Sequence, residues 1–327
     1  MTRKENYLNL LNHKPIDRFP GPTDKWIVFT PGEHNMGGVQ VGDTIVGDDW
    51  FGCSWTQMGN SPLTGATLTP GRERLEDIAD FEKEQVIPTA EQVRAFDWEG
   101  YAAEILQGYD RENKALECRS LVGFFERLHS LVGFENALCA FYEDPDAVHA
   151  FFAAMLEYKK VVAECVKKYI NPDVMIFDDD YGTSRATFMN PDMWREFFPQ
   201  YWKPLVDHVH SLGMKFELHS CGYITPLVGD FVDLGMDMLQ PLQTNNDLKG
   251  IKEKYGDRIV LKLAIFDKQM SALDQTEDQV RQDIRGYYET LAPGGNFMPD
   301  LVPIDDRYYE IQREVQDEFE KEFFHLS

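Results

Sequence analysis

Asp173-Val-Met-Ile-Phe-Asp-Asp-Asp-Tyr-Gly182 is a short apolar run that stops abruptly in three aspartates and a glycine. Such a run, bounded by turn residues, reads as a buried strand. Asn190-Pro191 then supplies a helix N-cap and a proline at the first helical position. The helix that follows is broken into pieces by Pro199 and Pro204 and is ended by Gly213. Next comes Met214-Lys-Phe-Glu-Leu-His-Ser-Cys-Gly222, a second strand that also ends in polar residues. Strand, helix, strand at this spacing implies parallel strands joined by a right-handed crossover.

The same unit recurs on both sides. Toward the N-terminus, Leu116-Glu-Cys-Arg-Ser-Leu-Val122 reads as a strand. Asp144-Pro145 caps a helix whose apolar residues Val148, Phe151, Phe152, Met155, Leu156, Val162 and Val166 recur at helical spacing to about Tyr169. Toward the C-terminus, Phe231–Leu239 reads as a helix end leading into a strand that stops at Gln240-Pro241-Leu242-Gln243, and further strands are expected at Arg258–Ala264 and Asn296–Met298. Helices are expected at Leu248–Tyr255, Glu277–Leu291 and 304–324. About six strands follow from Leu116 onward. The N-terminal part, with Trp26-Ile-Val-Phe29, adds up to two more. The predicted fold is α/β, a TIM (β/α)8 barrel with an irregular N-terminal extension over 30–100, in a single domain spanning 1–327. An open doubly wound sheet is the alternative. Gly-x-Gly-x-x-Gly is absent, so no glycine-rich dinucleotide turn supports that alternative.

Composition narrows the function. With 43% hydrophobic residues the chain has material for a sizeable core, and global disorder is excluded. The formal net charge of −24 opposes nucleic acid, anionic membranes and strongly anionic substrates, and it would steer in a partner with a cationic patch. No run of 18 apolar residues and no signal-peptide core are seen, so a cytoplasmic location without a membrane span is expected. Five scattered cysteines, an odd number, fit a reducing compartment rather than a disulfide framework.

In a barrel the C-terminal strand ends carry the chemistry. Here they supply Glu126, Asp178-Asp179-Asp180, His219 with Cys221, Gln240, Asp267 and Asp300. Alternation puts Glu217, His219 and Cys221 on one strand face. An imidazole and a thiol two residues apart suit zinc or a similar soft cation, so His219 and Cys221 are the expected metal ligands, with Glu217 or Asp300 completing the set. A hydrogen-bonded core histidine is the plain alternative. Crowded carboxylates raise one another's pKa, which makes Asp178, Asp180 and Glu126 the candidate catalytic groups. Phe125, Asp179, Tyr181, Gln240 and Asp267 are the candidate substrate contacts. A core role for the phenylalanine and the tyrosine is the competing reading.

The order of motifs resembles one family. His13-Lys-Pro-Ile-Asp-Arg-Phe-Pro20, Gly123-Phe-Phe-Glu126, Gly133-Phe-Glu135, Asp144-Pro145 and Asp178-Asp-Asp-Tyr-Gly182 come first. Asn190-Pro-Asp-Met-Trp-Arg-Glu-Phe-Phe198, His219-Ser-Cys-Gly222, Gln240-Pro241, Asp267 and Gly294-Gly295 follow. Together they resemble the uroporphyrinogen-decarboxylase-like proteins, most firmly over 115–303. The resemblance implies a TIM barrel and one of two chemistries. The decarboxylases hold a polycarboxylate with an arginine-rich N-terminal segment, whereas this chain reads Thr23-Asp-Lys-Trp-Ile-Val-Phe29 there. The cobalamin-dependent methyltransferases bind zinc through His-x-Cys and a later cysteine. His219 and Cys221 match, but no cysteine follows residue 221. The resemblance therefore implies a methyltransferase that moves a methyl group from a small methylated or methoxylated compound to cobalamin carried by a corrinoid partner protein, with zinc as the candidate metal. A decarboxylase or lyase on another small substrate, or a binding protein without catalysis, remain as the other two readings.

Overall fold

Seven strands in a single curled sheet, all parallel, make the frame. The computed structural model describes residues 1–33, 39–41, 44–58, 67–265, 275–301 and 306–325. Helix α1 (Arg3–Leu11) precedes β1 (Lys25–Phe29). A small antiparallel sheet of β2 (Val39–Val41), β3 (Thr44–Asp48), β4 (Ser54–Met58) and β5 (Thr67–Leu68) follows, then α2 (Ala90–Ala95) and α3 (Trp98–Ile105). The regular part runs β6 (Ala115–Ser120), α4 (Phe124–Val132), α5 (Phe134–Glu143), α6 (Pro145–Tyr169), β7 (Val174–Asp178), α7 (Pro191–Phe197), α8 (Pro199–Ser211) and β8 (Lys215–His219). It continues with α9 (Val228–Leu234), β9 (Met238–Gln243), α10 (Leu248–Tyr255), β10 (Val260–Ala264), α11 (Glu277–Leu291), β11 (Phe297–Asp300) and α12 (Asp306–Phe323). The spatial order β1-β6-β7-β8-β9-β10-β11 follows the chain. Each strand is thus next to its predecessor, as right-handed crossovers require.

This is a TIM-barrel architecture, as expected. The six strands foreseen from Leu116 onward are all present. The N-terminal part adds one parallel strand among the described residues, and its other strands form the separate antiparallel sheet. The reason is visible in the pairing: β2 to β5 are joined by short connections, which permit hairpins but not parallel crossovers.

Alternation sorts the strand residues into two cores. Leu116, Cys118, Met175, Phe177, Phe216, Leu218, Leu239 and Leu261 point outward and pack under the helices. Ala115, Val174, Ile176, Met238, Val260 and Met298 point inward and meet Tyr7, Leu10 and Leu11 of α1, which closes the N-terminal end of the barrel. Above this plug lies a charged layer. Lys25 and Glu117 approach to 3.3 Å, Lys262 donates to Glu217 at 3.0 Å, and the Tyr7 hydroxyl donates to Glu117. All five side chains are buried. Buried charges of this kind persist only when paired, so the layer holds the strands in register beneath the rim.

The N-terminal extension is pinned by a second buried network. Arg127 of α4 donates to Asp49 at 2.5 Å and to the Glu33 carbonyl at 3.1 Å. Lys159 of α6 donates to the Glu33 carboxylate at 2.9 Å.

Candidate metal centre at the barrel rim

One layer above the charged layer, two residues further along each strand, the lumen carries the candidate site. Arg119 lies two residues after Glu117, His219 two after Glu217, and Asp300 two after Met298. The cross-strand register pairs Asp178 with His219 and His219 with Gln240. Contacts reach over intervening strands, which places these groups in the lumen. Arg119 of β6 approaches His219 of β8, and Gln240 of β9 donates to Asp300 of β11 at 3.2 Å.

Two glycines bring the next loops together. Gly222 has φ +86°, and a Cβ there would lie 2.2 Å from the Gly182 carbonyl oxygen. A Cβ on Gly182 would in turn lie 2.6 Å from the Tyr223 nitrogen. Only backbone against backbone fits. As a result the loop after β7 rests on the loop after β8, and Asp180 Oδ1 accepts the Cys221 backbone N–H at 2.6 Å.

His219 Nε2 then lies 3.4 Å from Cys221 Sγ and 3.8 Å from Asp180 Oδ1. The three ligand atoms all lie within 4.8 Å of one another. Zinc bonds of about 2.0–2.3 Å at tetrahedral angles give ligand–ligand edges of roughly 3.3–3.7 Å. The two spacings from His219, 3.4 and 3.8 Å, are close to those edges, and three protein donors would leave one position of a tetrahedral ion for another ligand. The imidazole, thiol and carboxylate therefore fit a zinc-type ion, with fewer soft donors than a two-thiolate site.

The second nitrogen of His219 is held from below. Its Nδ1 lies 2.6 Å from Gln240 Oε1 and 2.9 Å from Arg119 Nη2. Burial pushes the Asp300 carboxyl up, but the ammonium groups of Lys262 and Lys25 outweigh it and hold that carboxyl below its ordinary value. Ionised Asp300 can only accept, so Gln240 turns its amide nitrogen toward Asp300 and its oxygen toward His219. The Gln240 oxygen, the closer of the two, takes the proton of Nδ1 and leaves the Nε2 lone pair facing Cys221 and Asp180; the Arg119 guanidinium, a donor only, then lies beside Nδ1 without a hydrogen bond to it. Burial pushes the Cys221 thiol up, and the charges of Asp180, Glu126 and Asp178 push it further. A cation bound beside it would reverse that field.

The other expected residues separate into distinct places. Asp178 is held by Arg119 through Nε at 2.8 and 2.9 Å and Nη2 at 2.6 Å. Glu126, half-buried in the first turn of α4, faces all three aspartates. Burial, then Asp180, Asp179 and Asp178, raise its carboxyl well above the ordinary range. Asp179 is fully buried and accepts the backbone N–H groups of Phe124, Phe125 and Glu126 at 2.8–3.1 Å. Gly123 at the N-cap has no side chain to do this, so the first residue after β7 caps α4 from outside. Tyr181 is also fully buried, donating to Asp179 and accepting from the Trp202 indole at 2.8 Å. Phe125 packs among His129, Phe134 and Phe141. These three expected substrate contacts are instead capping and packing groups.

Two expected ligands also lie elsewhere. Glu217 shares the face of His219 but sits one layer lower, bound to Lys262. Asp300 is at the rim but serves Gln240. Asp180, expected as a catalytic group, takes the ligand position. Asp267 lies outside the described residues. Arg119 escaped the sequence reading, because its partner stands 59 residues further on.

Residues 120–297 match the family model for uroporphyrinogen decarboxylase (URO-D). The chain belongs to the uroporphyrinogen decarboxylase family. No curated protein matches it by sequence. Among solved structures it is similar to a methyltransferase from Methanosarcina mazei, with TM-score 0.65 and 16% identity over 98% of this chain and 99% of that one. A glycosylated endo-beta-1,4-xylanase from Gloeophyllum trabeum is also similar, with TM-score 0.41 and 11% identity over 66% and 79% of the two chains. Within the family fold, the His219-x-Cys221 strand end and the aspartate triplet occupy one rim. No helix of the described residues is long and apolar enough to cross a membrane.

Proposed function

We propose that this uroporphyrinogen decarboxylase family member is a corrinoid-linked methyltransferase. It would move a methyl group from a small methylated compound, methoxylated ones included, to the cobalt of a corrinoid carried by a partner protein. The observation that carries this reading is the His219–Cys221–Asp180 cluster, which stands at the C-terminal rim of the barrel. The overall likeness to a methyltransferase fold is consistent with it but rests on fold alone.

Zinc bound by these three residues would supply a Lewis acid for the oxygen or nitrogen that carries the methyl. The chain's own groups divide the remaining work. Gln240 and Asp300 set the His219 tautomer. Glu126, whose carboxyl burial and its aspartate neighbours raise well above the ordinary range, would give a proton to the heteroatom as the carbon–heteroatom bond breaks. Arg119 holds Asp178 in a bidentate pair, which keeps that carboxylate from swinging toward the ligand atoms. A polycarboxylate substrate would meet several rim carboxylates and an arginine already engaged by Asp178, so a decarboxylase reading draws less support.

The test is direct. Zinc-loaded protein is mixed with cob(I)alamin and a panel of methyl ethers, methylamines and methanol, and the visible spectrum is followed. Methylcobalamin formation with one donor class, lost in His219→Ala and Cys221→Ala, supports the reading. An unchanged cob(I)alamin spectrum with every donor abandons it, and carbon dioxide release from a carboxylated panel would install the decarboxylase reading instead.

A further inference from the structure

Alternation divides β1 into two faces. Trp26 and Val28 face the helices: the Trp26 indole donates to the Ile105 carbonyl at 3.2 Å, and Val28 is buried. Lys25, Ile27 and Phe29 therefore face the lumen. The register agrees, since Ile27 pairs with Glu117 and Phe29 with Arg119, both inward residues. Lys25 is 6% exposed and lies in the charged layer, whereas Ile27 is 44% and Phe29 43% exposed. The inward face of β1 is thus closed at Lys25 and open at Ile27 and Phe29, while Glu117, the cross-strand neighbour of Ile27, stays buried in the charged layer.

Barrel interiors are normally packed by successive side-chain layers. Large apolar groups left open on an inward face mark space shaped for a ligand. Among the described residues, Ile27 and Phe29 are the exposed large hydrophobics that lie on a strand. They stand two residues apart, and the Tyr101 hydroxyl fixes the Phe29 carbonyl at 2.8 Å. The wall is continuous with the polar rim: Phe29 sits beside Arg119, whose Nη2 is 2.9 Å from His219 Nδ1. Without a metal the rest of the described rim is acidic, with Asp178, Asp180 and Asp300 against the cation of Arg119. A ligand carrying negative charge is repelled there, and an uncharged one is not.

We propose that Ile27 and Phe29 form the wall that seats the body of the substrate, and that this substrate is an uncharged methyl donor with an apolar, ring-sized body. Its methyl-bearing atom would face the His219–Cys221–Asp180 side. The choice of reacting group rests on the methyl-transfer reading above; the apolar wall does not.

Binding is measured by calorimetry on the metal-free protein with no cobalamin present, using anisole, methanol and 4-methoxybenzoate as probes. Both residues are exposed, so Phe29→Ala and Ile27→Ala keep the wild-type melting temperature. Each weakens anisole binding by about fivefold and the double variant by more than about tenfold, from the apolar contact removed. Phe29→Leu retains most of the affinity, and methanol binding is unchanged in every variant. 4-Methoxybenzoate binds about tenfold more weakly than anisole. No anisole binding by the wild type, or equal affinity in the wild type and the double variant, overturns the wall. Tighter binding of 4-methoxybenzoate overturns the charge preference. Because no methyl acceptor is in the cell, a failed methyl-transfer assay leaves this result standing, and the reverse holds too.

Discussion

Gln240 presents its oxygen to His219 Nδ1 at 2.6 Å while its nitrogen donates to Asp300 at 3.2 Å. One amide thereby couples the buried charged layer to the imidazole that faces Cys221. The orientation of the amide is dictated from below, because ionised Asp300 offers no proton. Removing either link frees the imidazole to rotate or to change tautomer. Partners of this kind typically contribute 10–100-fold to metal affinity. Gln240→Leu should therefore weaken zinc binding by about 10–100-fold, measured by competition with a chromogenic chelator. Asp300→Asn should weaken it less, since its amide can still accept from Gln240.

The ligand set itself is separable by substitution. Asp180→Ala, His219→Ala and Cys221→Ala each remove a donor atom and should lower zinc affinity by at least about 100-fold. Glu217→Gln should leave the zinc content of the purified protein unchanged, because Glu217 faces Lys262 one layer below. Its effect should appear in urea unfolding instead, as a loss of about 3–5 kcal/mol from an uncompensated buried ammonium. Zinc loss in Glu217→Gln with retained stability would reverse this assignment.

Asp179 gives a stability prediction that its two neighbours do not. Its carboxylate satisfies three backbone N–H groups at the start of α4 that no local side chain can reach. A single N-cap is worth about 1 kcal/mol, and stranded buried donors cost more. Asp179→Ala should cost about 2–4 kcal/mol in urea unfolding, while Asp180→Ala, at a partly exposed carboxylate that accepts a single backbone N–H, should cost less than about half of that. Equal losses in the two variants would remove the capping assignment.

These three aspartates show where the sequence stops informing. Consecutive and chemically identical, they read as one acidic strand end. Yet Asp178 ends the strand and pairs with Arg119, Asp179 turns back to cap a helix 55 residues earlier, and Asp180 leans on the Cys221 amide. The strands and helices from Leu116 onward were legible because burial on both strand faces and capped helices leave periodic signals. The His219–Cys221 pair was legible for the same reason, since period two fixes a face. Period two does not fix depth, and that is why Glu217 shares the face yet lies in a different layer. Arg119 and Gln240 act through partners on other strands, and a local pattern carries no trace of such pairing. The antiparallel sheet of β2 to β5 was seen only as short β-segments, because its strands are brief.

His129 supplies the pH dependence. Its ring is half-buried against Phe125 and Phe134, with centroids at 5.2 and 5.5 Å. Burial, aided by repulsion from Arg127, lowers its pKa to about 4. The unfolded chain has an ordinary histidine, with a pKa of about 6.5. Between those two values the unfolded state binds a proton that the folded state refuses. The stability His129 contributes as a neutral ring is thus complete above about pH 6.5 and is lost progressively as the pH falls toward 4. Allowing for its partial exposure, the loss should be on the order of 1–2 kcal/mol. His129→Leu keeps the apolar contacts and has no proton to bind. Urea unfolding at pH 7.5, 6 and 5 should therefore show the variant losing less stability than the wild type across that range. Parallel slopes for the two proteins would mean that His129 protonates as readily in the fold as in the unfolded chain.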